Sequence, residues 1–185
     1  MRNIVGLIVI ALIVGACSSI KVVELKKPEG SIYTAAQTEP SIAIDPNNNQ
    51  HIIAGAILDE FYESYDGGES WSAQNVTSTY GVYGDPVMMF DTASQIYYFH
   101  LASYIETSHL DRIVCQTSRM TVVEIGGSHE SSRIFNDGTF PTPSGAKVQD
   151  KQWAVINEET NEIYMTWTQF DAYNSKDDKD SSFIM

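Results

Sequence analysis

The sequence predicts an all-β fold, and three observations lead to that prediction. Short runs rich in Val, Ile, Tyr, Phe and Trp alternate with clusters of Asp, Asn, Gly and Ser, which is the pattern of strands and turns. Beyond residue 16 no segment has the apolar spacing of an amphipathic helix. A unit of two apolar strands recurs three times along the chain, so we expect a repeated sheet architecture.

The first 16 residues have the organisation of an export signal. Arg2 precedes an apolar run from Ile4 to Val14, and the small residues Gly15 and Ala16 close it. These are the basic, apolar and small-residue regions of a secretory signal. The run is shorter than the roughly 20 apolar residues that a membrane span requires. We therefore expect residues 1–16 to be cleaved rather than to remain as a transmembrane helix.

The phrase Val14-Gly15-Ala16-Cys17 resembles a lipobox, at which a bacterial signal peptidase cuts before a lipid-modified cysteine. The resemblance implies that Cys17 is acylated and anchors the protein to the cell envelope, at the outer membrane in a Gram-negative cell. Residues 17–38 are polar and poor in strand signals, so we interpret them as the tether. The alternative is a secreted protein with an incidental cysteine.

Charge and residue composition exclude several kinds of partner. Without residues 1–16 the chain has 24 acidic and 10 basic residues, a formal charge of −14. Nucleic acid and anionic membrane surfaces are poor partners for such a charge. Once Cys17 is acylated, Cys115 has no cysteine left to pair with. The histidines are scattered, so we predict no metal site and no cofactor.

The repeated unit consists of an apolar strand, a turn that opens with Asp or Asn, and a second apolar strand. Its copies cover 40–45 with 51–56, 85–91 with 96–101, and 152–157 with 163–168. The turn residues are Asp45, Asp91 and Asn157, at spacings of 46 and 66 residues. The longer interval contains residues 126–150, which are rich in Gly, Ser, Pro and Asn and predict an insertion without strands.

Further strands complete these units to the size of propeller blades. In the first unit we expect strands over 61–65 and 71–76, and in the second over 111–116 and 120–125; the third unit ends within its third strand. A period of this order is typical of four-stranded blades. The blades would lie near 39–76, 85–125 and 151–185. Because a ring needs roughly four to eight blades, we expect the chain to be a fragment.

The segment from Ser64 to Trp71, SYDGGESW, resembles the Asp-box, or BNR repeat, of sialidase-type propellers. Ser64, Asp66, Gly68 and Trp71 stand at its four defining positions. The resemblance implies that residues 39–185 form about two and a half to three blades of an incomplete sialidase-type β-propeller. It also implies a structural role for Asp66, because Asp and Gly serve turns and the family binds its substrate on the opposite face.

Loops on that opposite face contain groups suited to sugars. Tyr80 and Tyr83 are candidate stacking platforms, and the candidate polar contacts are Asp85, Asp111, Asp150 and Lys151. The alternative interpretation is that these six are solvated loop residues and strand-opening turns.

The leading hypothesis is an envelope-anchored, sialidase-like BNR-repeat protein that engages glycans, and one form of it is an exo-acting glycoside hydrolase. Sialidases hold their substrate carboxylate with three arginines, since guanidinium groups bind carboxylates in a bidentate manner. The opening strand here reads Glu39-Pro40-Ser41-Ile42, without arginine, and the loop that would bring a catalytic aspartate is missing between Ala56 and Ser64. Catalytic residues therefore cannot be assigned, and the alternative is a non-catalytic propeller that acts as a binding or assembly scaffold.

Overall fold

The structure, a computed structural model, describes residues 22–28, 38–103, 110–125, 128–136, 147–172 and 174–185. These residues form strands and no helix. The strands are β1 (Ser41–Asp45), β2 (Asn48–Ala56), β3 (Glu60–Ser64), β4 (Ser72–Asn75), β5 (Val87–Phe90), β6 (Ile96–Ala102), β7 (Arg112–Ile125), β8 (Ser128–Phe135), β9 (Val148–Ile156), β10 (Ile163–Phe170) and β11 (Ser182–Ile184). The all-β prediction is confirmed.

The strands form three antiparallel sheets that follow one another along the chain. The first contains β1 to β4, the second β5 to β8, and the third β9 to β11, each with sequential strands as neighbours. All three predicted two-strand units therefore fold as hairpins at the start of a sheet. The predicted third and fourth strands of the first unit are also present, as β3 and β4.

The three hairpins share one turn chemistry, which explains the repeat in the sequence. In the first, Oδ1 of Asp45 accepts a hydrogen bond at 2.9 Å from the backbone N–H two residues later. Asp91 and Asn157 make the same contact in the second and third hairpins, each also at 2.9 Å. An Asp or Asn side chain that binds the backbone two residues on is an Asx turn. A local interaction thus recurs at each hairpin.

The second sheet differs from the prediction in its outer strands. The predicted strands 111–116 and 120–125 are one continuous strand, β7, and β8 lies in the segment 126–150, for which no strand was expected. Residues 112–117 of β7 pair with β6, whereas residues 118–125 pair with β8. The prediction was wrong because β8 is polar, SHESSRIF, and owes its strand geometry to backbone pairing rather than to an apolar pattern.

Apolar clusters join neighbouring sheets. Between the first and second sheets the cluster includes Ile53, Phe61, Met88 and Tyr98, and between the second and third it includes Phe99 and Ala154, among others. The backbone of β2 approaches β5 closely at Gly55, where a Cβ atom would lie 3.0 Å from the Cβ of Pro86. Tight packing of this kind makes the described sheets one continuous stack.

The first strands of the three sheets are neighbours. β1 contacts β5, and β5 contacts β9. The Oγ of Ser41 accepts a hydrogen bond from the N–H of Met88 at 3.0 Å, and the Nε2 of Gln152 donates to the carbonyl of Asp85. The ends at which these first strands begin therefore converge on one side of the stack.

Part of the predicted tether lies against the first sheet. Residues 22–28 have no regular secondary structure, yet Leu25 packs with Tyr62 and Trp71 on the outer face of that sheet. Cys17 and the export signal lie outside the described residues. Within the residues that are described, no helix has the length and hydrophobicity needed to cross a membrane.

Candidate functional site

Three equivalent backbone positions form the centre of the candidate site. Glu39, Asp85 and Lys151 each stand six residues before the Asx-turn residue of their own hairpin. All three have left-handed backbone geometry, with φ values of 54°, 48° and 52°. Positive φ is uncommon for residues other than glycine and is enriched at functional sites. The repeat therefore brings one unusual residue from each sheet to the same place.

The side chains at these positions form a charge cluster. The Nζ of Lys151 lies 3.1 Å from Oε1 of Glu39 and 3.2 Å from Oδ2 of Asp85. Asp85 is the most enclosed, with 11% of its side chain exposed, whereas 63% of the Lys151 side chain is exposed. Because the lysine is largely solvated, these contacts contribute little to stability, and its ammonium group is free to leave.

The cluster also alters protonation. A hydrogen bond to Asp85, together with burial, raises the pKa of Glu39, and Lys151 opposes this only in part. Burial lowers the pKa of Lys151, but hydrogen bonds to Glu39 and Asp85 outweigh that effect and raise it. The lysine therefore remains an ammonium ion beside the two carboxyl groups.

A cleft of about 380 Å³ opens beside this cluster. Its apolar wall is built from Ile57, Leu101, Leu110 and Val148, and its polar rim from Glu39, Tyr83, Asp85, Gln149, Asp150 and Lys151. An apolar wall with a few convergent polar groups is the usual form of a small-molecule site, and the volume suits one sugar residue or a short oligosaccharide.

Backbone hydrogen bonds hold the wall in place. The N–H of Tyr83 donates to the carbonyl of Leu101 at 2.9 Å, and the N–H of Gln149 donates to that of Leu110 at 2.7 Å. Gly84, with φ of 105°, lets the chain pass Ile57, since a Cβ there would lie 2.6 Å from the Cγ1 of that isoleucine. The loops that line the cleft are thus fixed to strand ends.

Four of the six predicted ligand-face residues line this cleft, namely Tyr83, Asp85, Asp150 and Lys151. The other two, Tyr80 and Asp111, lie in a separate cluster around Arg112. The guanidinium group of Arg112 stacks 5.5 Å from the centre of the Tyr80 ring. Its Nε and one terminal nitrogen donate to Asp111 at 2.8 and 2.6 Å. This buried pair holds the start of β7.

Sequence reasoning missed several residues of the site, and Glu39 and Gln152 are the most informative of them. Glu39 was noted only because the strand that follows it lacks arginine. Aligning the three units on their turn residues would have placed Glu39 beside Asp85 and Lys151. Gln152 is 4% exposed, and its carbonyl oxygen Oε1 has no hydrogen-bond partner. No local pattern marks that buried acceptor.

The segment that resembles an Asp-box, Ser64 to Trp71, lies at the other end of the first sheet, since β3 runs from the loop beside Ile57 to this turn. The carboxylate of Asp66 accepts hydrogen bonds from the N–H and the hydroxyl of Ser70 at 2.8 and 2.5 Å. These bonds lower the pKa of Asp66 to about 2. The N–H of Gly68 donates to Ser64 Oγ at 2.9 Å, and the Trp71 indole N–H donates to the carbonyl of Gly68 at 3.1 Å. The loop thus satisfies its own polar groups.

A buried histidine, His51 of β2, lies at the same end of the first sheet. Its ring lies between two carboxylates, with Nδ1 at 3.0 Å from Asp45 Oδ2 and Nε2 at 2.7 Å from Glu63 Oε1. The Tyr65 ring stacks on it at 4.5 Å. Burial raises the pKa of Asp45, but hydrogen bonds from Ser94, the backbone and His51 outweigh this and lower it. His51 therefore joins β1, β2 and β3.

Among the residues that the structure describes, no group of three or more His, Cys, Asp or Glu side chains is arranged to hold a metal ion. No protein-family model matches the chain, and no curated protein matches it either. The function is therefore inferred from the cleft and its charges.

Proposed function

We propose that this protein is an envelope-anchored, sialidase-type propeller protein that binds a glycan in the cleft between its three sheets. The observation that carries the proposal is the convergence of four predicted ligand-face residues, Tyr83, Asp85, Asp150 and Lys151, on one cleft. They come as two pairs from two distant segments of the chain, Tyr83 with Asp85 and Asp150 with Lys151, so the meeting of the two pairs is not a consequence of sequence proximity.

Three features support the propeller interpretation. The three sheets begin with equivalent hairpins, their first strands are neighbours, and apolar clusters join consecutive sheets. In a propeller the first strand of every blade lies nearest the central channel, so the cleft would lie at the mouth of that channel. The Asp-box would then lie at the far end of its blade, away from the ligand.

The cleft has the surface that a sugar requires. Tyr83 is 43% exposed and offers a ring on which the apolar face of a pyranose can stack. The carboxylates of Glu39, Asp85 and Asp150 are acceptors for hydroxyl groups. The apolar wall excludes water from the other side of the ligand.

The charge of the cleft does not favour the sialidase reaction. Among the described residues that line it, three carboxyl groups face the single ammonium of Lys151, whereas a sialoside brings a carboxylate of its own. The Lys151 ammonium also lies 3.1 Å from Glu39 and 3.2 Å from Asp85, whereas the carboxyl pair of a glycosidase flanks the scissile bond of the substrate. The arrangement therefore supports binding better than hydrolysis.

Glycan binding can be tested with the full chain in detergent, first on a glycan array and then by calorimetry with the best ligand. We expect Tyr83→Ala to weaken binding roughly threefold to tenfold through lost stacking. Asp150→Asn should also weaken binding. Glu159→Gln, at an exposed position in the turn between β9 and β10, is the matched control, because this turn lies at the end of the third sheet away from the cleft. The proposal would be contradicted if no glycan binds, or if all three variants change the affinity equally.

A second candidate function is a non-catalytic scaffold, and one observation favours it. The Lys151 ammonium bridges Glu39 and Asp85, so that one residue from each sheet takes part in a single contact. On this alternative the cluster joins the sheets and binds no ligand. Lys151→Ala would then lower the melting temperature by several degrees, with no glycan bound by either form.

A further inference from the structure

The cleft is rich in hydrogen-bond acceptors, which restricts the chemistry of its ligand. Glu39, Asp85 and Asp150 provide carboxyl oxygens, and Lys151 is the one cationic side chain on the rim of the described cleft. An acceptor-rich site binds best to a ligand that supplies donors, above all charged donors, because charge-assisted hydrogen bonds are about twice as strong as neutral ones.

From this arrangement we infer that the ligand is an amino sugar with a free ammonium group, which replaces the Lys151 ammonium between Glu39 and Asp85. The inference rests on the proposed function, since it names the class of glycan that the same cleft takes. It differs from a sialidase-like specificity in the sign of the ligand's charge.

The Lys151 ammonium marks where a cation binds. It lies within 3.1 and 3.2 Å of the two carboxyl groups, which is the geometry that a ligand ammonium would adopt. The lysine side chain is largely exposed, so it can turn into solvent without losing buried contacts. Release of Lys151 leaves a gap between two carboxyl groups that only another cation fills without electrostatic cost.

A buried orphan acceptor provides an independent indication. A second depression, of about 220 Å³, shares Glu39, Asp85 and Lys151 with the main cleft. Gln152 lines it, and its Oε1 atom is buried without a hydrogen-bond partner. An unpaired buried acceptor is costly, so a donor from a ligand would restore the missing hydrogen bond.

The backbone at the cluster is compatible with informative substitutions. Asp85 has left-handed geometry, which asparagine tolerates better than most residues. Asp85→Asn therefore removes the negative charge and keeps the turn. Lys151→Met removes the ammonium and keeps most of the side-chain length.

The test compares two trisaccharides that differ only in acetylation, the trimer of glucosamine and the trimer of N-acetylglucosamine. Calorimetry uses the full chain in detergent at about pH 6, where amines are protonated. We expect the free amine to bind at least about tenfold more tightly, the increment of a single charge-assisted hydrogen bond. Lys151→Met should tighten binding of the amine, because it removes the competing cation, and Asp85→Asn should abolish the preference. Glu159→Gln is the control, and thermal melting verifies that each variant is folded.

Each outcome separates this inference from the proposed function. If the two trimers bind with equal affinity and Tyr83→Ala weakens the binding of both, the inference is overturned but glycan binding still stands. Weaker amine binding by Lys151→Met would also overturn it, since the lysine would then be part of the ligand site rather than a substitute for the ligand. Tighter binding of a sialoside than of the amine would have the same result. If neither trimer nor any other glycan binds, both proposals fail.

Discussion

Stability should depend on pH through His100, which is completely buried in β6 with 0% of its surface exposed. Its Nδ1 atom lies 2.9 Å from the carbonyl oxygen of Leu101, so the neutral ring donates its proton there. The Gln116 side chain is the other polar neighbour of the ring. Burial lowers the pKa of His100 from 6.5 to about 4, although its hydrogen bonds oppose the shift.

The sign and size of the effect follow from linkage. Because the pKa of His100 is lower in the folded protein, the unfolded chain takes up the proton first as the pH falls. The contribution of His100 to the free energy of unfolding is therefore fully present above about pH 6.5. It is lost progressively as the pH falls from about 6.5 to about 4. A shift of about 2.5 pH units corresponds to about 3 kcal/mol.

The assay is urea unfolding at a series of pH values, for the wild-type chain and for His100→Gln. Glutamine cannot take up the proton, so the difference in unfolding free energy between the two proteins separates His100 from all other titrating groups. We expect that difference to shrink by about 3 kcal/mol between pH 7 and pH 4. A difference that stays constant over this range would refute the reasoning. An imidazole NMR titration with a midpoint near pH 6.5 would refute it as well.

Three further substitutions test the packing and turns. His51→Ala leaves the buried carboxylates of Asp45 and Glu63 without the ring between them, so we expect the free energy of unfolding to fall by about 3–5 kcal/mol in a denaturant melt. A fall of less than about 1 kcal/mol would show that the ring does not hold the three strands together. Gly55→Ala places a Cβ against β5 and should cost about 1–3 kcal/mol by overpacking, and an unchanged melting temperature would contradict the close approach. Ser64→Ala removes the acceptor and donor of the Asp-box turn, for an expected cost of about 1–2 kcal/mol in the same assay. A neutral result would contradict its structural role.

The features that could be predicted from the sequence are those with local causes. The hairpins were found because each depends on an Asx turn at Asp45, Asp91 or Asn157 and on apolar residues beside it. β8 was missed because polar residues become a strand there through pairing with β7. That pairing depends on the neighbouring chain, which no local pattern encodes.

The site was predicted in part, for a related reason. Tyr83 and Asp150 were predicted as site residues because an aromatic ring or a carboxylate in a loop can be recognised from its own residue type and position. Tyr80 and Asp111 satisfied the same criteria but lie outside the cleft, because Arg112 binds both of them. Whether such a loop residue lines the cleft or contacts a neighbouring arginine depends on where the fold places it, and the residue type does not reveal that placement.

The charge cluster shows how a repeated backbone acquires a specific chemistry. The same left-handed geometry recurs six residues before the turn residue in each unit, so the backbone of the site follows the repeat. The side chains differ, as Glu39, Asp85 and Lys151 occupy these equivalent positions. Had all three been acidic, mutual repulsion would have opposed the approach of the first strands. One reversed charge relieves that repulsion, and because the lysine that supplies it is exposed, a ligand of the same charge can take its place.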